Sequence, residues 1–147
     1  MDGNMQTVGF HEALDKIFKD DSRYHAEGYV FLRDALEATL KRRKKARKET
    51  SSHVGAAELL DGFRVHSLQE FGPMAITVLE YWGVRSSEDI GNMVFNLVQV
   101  GIFGKTDEDT IESFREGYDF ADAFVLPFRP EPEKLSATGP GVVGKKA

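Results

Sequence analysis

A mainly helical domain of five or six helices, with a helix-turn-helix or winged-helix-like C-terminal half, is the fold this sequence predicts. Three observations lead there. Apolar residues recur at helical spacing in segment after segment, and the breaks between segments carry helix stop and start residues. One stretch near 101–106 leaves the helical period, which places any small β-element there.

Phe10, Ala13, Leu14, Ile17 and Phe18 mark a short amphipathic helix over 9–19, and Asp20-Asp21-Ser22 breaks it with an N-cap candidate. A second helix runs from Tyr24 to about Lys48, with Tyr29, Leu32, Leu36 and Leu40 on one stripe. That stripe stops at Leu40, and the helix continues without a buried face of its own. Thr50-Ser51-Ser52 marks a linker, in which His53 also falls. A third helix over about 54–70 has Ala56, Leu60, Phe63, Ser67 and Phe71 as its core stripe. Gly72-Pro73 closes it and opens a fourth helix over 73–82, with Met74, Ala75, Val78, Leu79 and Trp82 inward.

Gly83 fits a left-handed cap, and Ser86 with Asp89 three residues on resembles a capping box with Asp in the place of Glu. The fifth helix, 87–100, buries Ile90, Met93, Val94, Leu97 and Val98. Its other face is expected to point outward with Ser87, Glu88, Asp89, Asn92, Asn96 and Gln99. Ile102-Phe103 and Thr110-Ile111 then flank a polar turn, either a small β-hairpin or the approach to a helix over 107–117. Tyr118 to Phe124 forms a last helical turn or two. The predicted organisation is one domain over 7–125 and a disordered Pro/Gly-rich tail over 126–147.

The totals bound the function. A chain of 147 residues, 41% hydrophobic and 29% charged, is long enough for one unstapled core and is ordinary for a globular protein. Cysteine is absent, which removes disulfides, a thiolate nucleophile and sulfur metal ligands. Met1 to Gln6 has neither the basic nor the apolar region of a signal peptide, and no apolar run reaches the roughly 20 residues of a membrane span. A prokaryotic cytoplasm is the expected address.

The net charge of −5 conceals a segregation. Lys41, Arg42, Arg43, Lys44, Lys45, Arg47 and Lys48 put seven cations into eight positions. Between Thr106 and Ala123, Asp107, Glu108, Asp109, Glu112, Glu116, Asp119 and Asp122 face a single cation, Arg115. A helix C-terminus gains from two or three cations beside its carbonyls, whereas seven also repel one another. A surface this dense in positive charge suits several phosphates at once.

Asp21-Ser22-Arg23-Tyr24-His25 ahead of Tyr29-Val30-Phe31, then Phe71-Gly72-Pro73-Met74-Ala75, Trp82-Gly83-Val84, Asp89-Ile90-Gly91 and Val94-Phe95-Asn96-Leu97-Val98, occur in that order. On these strings the chain resembles an uncharacterised family of small proteins of planctomycete and verrucomicrobial bacteria. The resemblance covers about residues 9–125. It implies a bacterial source, and it implies no activity and no functional residue.

Several familiar spellings fail on physical context. Gly139 to Lys145 fits the first seven places of a P-loop, but Lys146 stands where Ser or Thr should hold magnesium, and no strand precedes it. His11-Glu12-Ala13-Leu14-Asp15 approaches a zinc-protease helix, with Asp as second ligand and no third in view. His66 and Glu70 share a helical face, and His25 sits where a structural hydrogen bond is expected. Phe63, Phe71, Tyr81, Trp82, Phe95 and Phe103 read as core, with one of Tyr81 and Trp82 partly exposed. The 83–85 turn between the fourth and fifth helices has helix-turn-helix length, yet Glu88 and Asp89 at the entering end would oppose DNA phosphates.

The sequence thus predicts a non-enzymatic binding or adaptor module without metal or cofactor. Its basic helix end would contact RNA, a ribosome or an acidic protein, rather than specific DNA or a membrane. The alternative is a homo-oligomeric structural or protein-interaction protein in which that end pairs with the acidic 107–122 segment.

Overall fold

The structure, a computed structural model, describes residues 9–47, 54–104, 112–115 and 117–129, with backbone alone for 45–47. These residues are mainly helical, and no strand occurs among them. The order is α1 (Phe10–Asp20), α2 (Ala26–Arg47), α3 (Ala56–Phe71), α4 (Ala75–Tyr81), α5 (Ser87–Gln99), α6 (Glu112–Arg115) and α7 (Phe120–Phe124). Single 3-10 turns, Gly72–Met74 and Leu126–Phe128, precede α4 and follow α7. The second turn lies within the stretch expected to be tail, and residues 130–147 fall outside the description.

Helical spacing places the core as expected. α1 buries Phe10, Ala13, Leu14 and Ile17, α2 buries Tyr29, Leu32 and Leu36, and α3 buries Ala56, Leu60, Phe63 and Ser67. Each such large apolar side chain stabilises the fold by about 1.5–3 kcal/mol. The most extensive helix contact is α2 on α3. It is close because Gly62 offers no side chain: a Cβ there would lie 1.9 Å from Thr39 Oγ1. Thr39 and Ser67, the polar residues inside these two helices, donate to Ala35 O and Phe63 O at 2.7 Å each, so neither hydroxyl is stranded in the core.

Phe31 is the hub of an aromatic cluster, its ring centroid 5.5 Å from Phe63, 5.2 Å from Phe71 and 5.3 Å from Trp82. The His66 ring lies 4.8 Å from Phe31 and so joins this cluster. Of the neighbouring pair, Trp82 is buried and Tyr81 is the exposed one.

The fourth helix departs from expectation at its start. Met74, expected on the inner face, is 57% exposed. The Gly72–Met74 turn is a 3-10 turn with Pro73 in it, and three residues per turn rotates Met74 away from the stripe that 3.6 per turn predicts. Gly83 ends α4 at φ 89°, with its N–H on Glu80 O (2.9 Å) and that of Val84 on Leu79 O (2.8 Å).

Ser86 caps α5 by accepting from Asp89 N at 3.3 Å. Asp89 is a methylene shorter than Glu, and its carboxylate accepts from Arg85 N (2.9 Å) and Ser86 Oγ (3.3 Å). At the other end of α5, Ile102 and Phe103 both donate their N–H to Leu97 O, at 2.9 and 3.2 Å, and bury their side chains. They form a capping turn, where a hairpin arm was one expectation. The rest of that element, 105–111, lies outside the described residues, and α6 falls within the alternative helix. Phe114 of α6 is fully buried against α5, beside Gly91. Among the described residues, no helix is long and apolar enough to cross a membrane.

The tightest backbone approach joins α4's end to the α1–α2 connection. A Cβ on Gly83 would lie 2.4 Å from Arg23 O, and the positive φ strains any L side chain. Gly83→Ala should therefore lower stability by about 3 kcal/mol in urea denaturation. Gly55→Ala, where a Cβ meets nothing within 4 Å, should stay within about 0.5 kcal/mol of wild type.

Candidate functional site

Two surfaces carried the functional expectations, the polar face of α5 and the basic end of α2. The structure treats them differently.

The polar face of α5 is half-buried and bonded to the chain's own side chains. Tyr24, 3% exposed, donates its hydroxyl to Asp89 Oδ1 at 2.6 Å and accepts from Asn92 Nδ2 at 3.0 Å. One turn on, Asn96 Nδ2 donates to Asp21 Oδ2 and to the Tyr29 hydroxyl, both at 3.0 Å. Asp21 is gripped again by Arg23, through Nε at 2.9 Å, a terminal nitrogen at 2.8 Å and the backbone N–H at 3.1 Å. Ser87 is buried, donates to Phe114 O and accepts from Gly117 N at 3.2 Å.

The expectation of an outward face is therefore corrected for Ser87, Asp89, Asn92 and Asn96. The α1–α2 connection packs across α5, and short polar side chains at one-turn spacing meet the tyrosines and Asp21 there. Glu88 pairs with Arg115 at 3.1 Å, and Gln99 stays exposed. Asp89, Asn92 and Asn96 thus give to their own chain hydrogen bonds that a groove-reading helix would direct to base edges.

The same connection ties down the neighbouring elements. His25 donates its N–H to Trp82 O at 3.0 Å, and its ring Nδ1 accepts from Glu27 N at 3.1 Å, which caps α2. This is the structural hydrogen bond expected of His25. Strings 21–25, 29–31, 82–84, 89–91 and 94–98, far apart in sequence, thus meet at one seam.

Electrostatics follow from that geometry. The Arg23 hydrogen bonds, helped by Asn96 and opposed by burial, hold the Asp21 carboxyl well below its ordinary range. Burial, and then the bond to Asp89, push the Tyr24 phenol far up. Burial pushes Tyr29 up to about 12 against the Asn96 bond. Tyr118, whose hydroxyl donates to Leu60 O at 2.8 Å, is also raised by burial. Asp21 stays ionised and the phenols stay protonated across the working pH range. Through Asp21, Tyr24 and Tyr29 the seam therefore keeps one hydrogen-bonding pattern across that range.

The basic end of α2 is presented differently. Lys41, Arg42 and Lys44 are exposed, and none is in an ion pair among the described residues. Arg43 instead lies against α3 and pairs with Glu58, its Nε 3.0 Å from Oε2. Lys45 and Arg47 belong to the last turn described by backbone alone, and Lys48 falls outside the described residues. The seven-cation run therefore has Arg43 paired internally and three members exposed, of which Arg42 rests a guanidinium nitrogen over Gly62 of α3. Of the acidic segment, Glu112 pairs with Arg115 at 2.7 Å, and Asp119 caps α7 by accepting from the N–H groups of Ala121 and Asp122.

His11 and Asp15 are exposed on α1. Among the described residues, no three His, Asp or Glu side chains gather as a metal site. The P-loop spelling at 139–145 and His53 lie outside the described residues. No family model matches the chain, and comparison with curated proteins and with solved structures finds no match either.

Sequence reasoning missed the seam because Asp89, Asn92 and Asn96 at helical spacing spell a solvated face and a buried polar stripe alike. The available signal was the absence of any Lys or Arg from that face, which a solvated helix usually carries. Because folding holds the Asp21 carboxyl below its ordinary 3.8, the folded protein gives up that proton more readily than the unfolded chain. Its contribution is then complete above that value and is lost as pH falls below it. The stability difference between wild type and Asp21→Asn should be constant from about pH 5 to 7 and should shrink steadily in more acid solution. Guanidinium titrations across pH measure it.

Proposed function

We propose that this protein is a non-enzymatic cytoplasmic binding module whose basic α2 terminus engages a polyanion, RNA in the first place. The observation that carries this reading is the exposure of Lys41, Arg42 and Lys44 without ion pairs, beside an Arg43 anchored to Glu58 on α3. An anchored helix end holds its cations in a fixed array, so little order has to be imposed when phosphates bind. The array extends into Lys45, Arg47 and Lys48 by sequence. The helical residues 41–47 span about 10 Å, which brings this charge within reach of several consecutive phosphates.

Macrodipole complementation alone would need fewer cations and would not favour presenting them so densely. The α4–turn–α5 unit, helix-turn-helix-like in length, serves in this reading as scaffold for α2 rather than as the reader. RNA suits the array better than specific DNA, because a run of Lys and Arg without amide partners reads backbone phosphate and not base edges.

The triple variant Lys41→Glu, Arg42→Glu, Lys44→Glu tests it by filter binding to single-stranded RNA across a salt series. Affinity at moderate salt should fall by at least about tenfold, and the slope of log K against log salt should drop by about two, at ~0.7 per phosphate contact. Unaltered affinity and slope in a folded variant would overturn the proposal.

A further inference from the structure

A cavity of about 470 Å³ opens where the C-terminal turns of α1 and α5 converge, well away from the basic end of α2. That volume is within the range of about 300–1,000 Å³ typical of small-molecule sites. Lys16, Lys19 and Asp20 line it from α1, and Asn96 and Gln99 from α5. Ile17 and Val100 supply the apolar part of its lining.

The chemistry of these groups is divided. Lys16 and Lys19 are exposed cations one turn apart, and neither is in an ion pair among the described residues. They suit an oxyanion. Acceptors stand across from them on α5 and beside them on α1. Asn96 has its orientation fixed by the seam: an ionised Asp21 only accepts, so Nδ2 faces it and the Tyr29 hydroxyl. Both amide hydrogens are thereby engaged, and Oδ1 is the atom left over for a ligand. The Asp20 carboxylate is a second acceptor, and two helix C-termini favour donors rather than a bare anion.

We propose that this cavity binds a small hydroxylated phosphate ester of the sugar-phosphate class. Its phosphate is held by Lys16 and Lys19, its hydroxyls donate to Asn96 Oδ1 and Asp20, and its carbon face lies on Ile17 and Val100. Neither half alone satisfies the site. Inorganic phosphate held by the lysines brings no carbon face to Ile17 and Val100 and no hydroxyl-bearing arm to reach Asn96 on the other helix, and a neutral sugar leaves the lysines without an anion. The seam that covers α5 also fixes the acceptor Asn96 at the cavity wall, so the site is preorganised by contacts unrelated to the ligand.

The test is a titration of the full chain, followed by amide chemical shifts, with ribose 5-phosphate, ribose and inorganic phosphate as probes at matched ionic strength. Ribose 5-phosphate should shift the amides of 16–20 and 96–100 and bind at least about fivefold tighter than either of the other two. Lys16→Ala with Lys19→Ala, both exposed and outside the seam, should weaken it by about tenfold or more, as loss of charge-assisted hydrogen bonds implies. Lys19→Gln serves in place of the double variant if that variant melts early. The inference is overturned if ribose 5-phosphate binds no better than inorganic phosphate, if the shifts fall elsewhere, or if the lysine variants bind as wild type does.

Discussion

The Tyr24 hydroxyl, held between Asp89 and Asn92, is the contact on which the arrangement turns. It joins the short α1–α2 connection to the first half of α5, and Asn96 repeats the junction one turn later through Asp21 and Tyr29. These groups are partly or wholly removed from water, where an unmade hydrogen bond costs about 1–3 kcal/mol. A polar interface of this kind therefore specifies one register of the connection on the helix, since a slip by a residue would strand several groups together. The same connection carries His25, bonded to Trp82 O, and Arg23 O, against which only a glycine fits at position 83. Both the start of α2 and the end of α4 are positioned from here.

That arrangement separates fold from habitual use. Helices of the length of α4 and α5, joined by a tight turn, invite a groove-reading role for the second helix. Its apolar face lies in the core, and Asp89, Asn92 and Asn96 of its polar face are half-buried and bonded to the 21–29 segment. Positive charge is concentrated instead at the far end of α2, where Arg43 locks onto Glu58 while its neighbours face solvent. The polyanion reading and the cavity between α1 and α5 thus occupy opposite ends of the chain's long helix, and each can fail without the other.

Most of the helical framework was legible because it rests on apolar periodicity, which is written locally. Leu32, Leu36, Phe63 and Leu97 are inside because their spacing puts them on one side of their helices. The Ser86 cap was legible for the same reason, since its partner Asp89 is three residues away. Met74 was misplaced by a change of helical pitch that one proline-bearing turn introduces. The larger miss, the half-buried and internally bonded Asp89, Asn92 and Asn96, has a different origin. A polar residue's direction depends on what lies opposite, and Tyr24, Asp21 and Tyr29 lie more than sixty positions away in sequence. The basic run was visible as composition, but the division of labour between Arg43 and its neighbours required α3 to be in place.

The central claim is that the polar face of α5 is an internal interface, and a double-mutant cycle measures it most directly. Tyr24→Phe and Asn92→Ala would be made singly and together, with unfolding free energies from urea. If the hydroxyl and the amide bind each other as described, the two effects are coupled by about 1 kcal/mol. Effects that add to within about 0.3 kcal/mol would mean that the face is open to solvent, and the account given for α5 would be wrong.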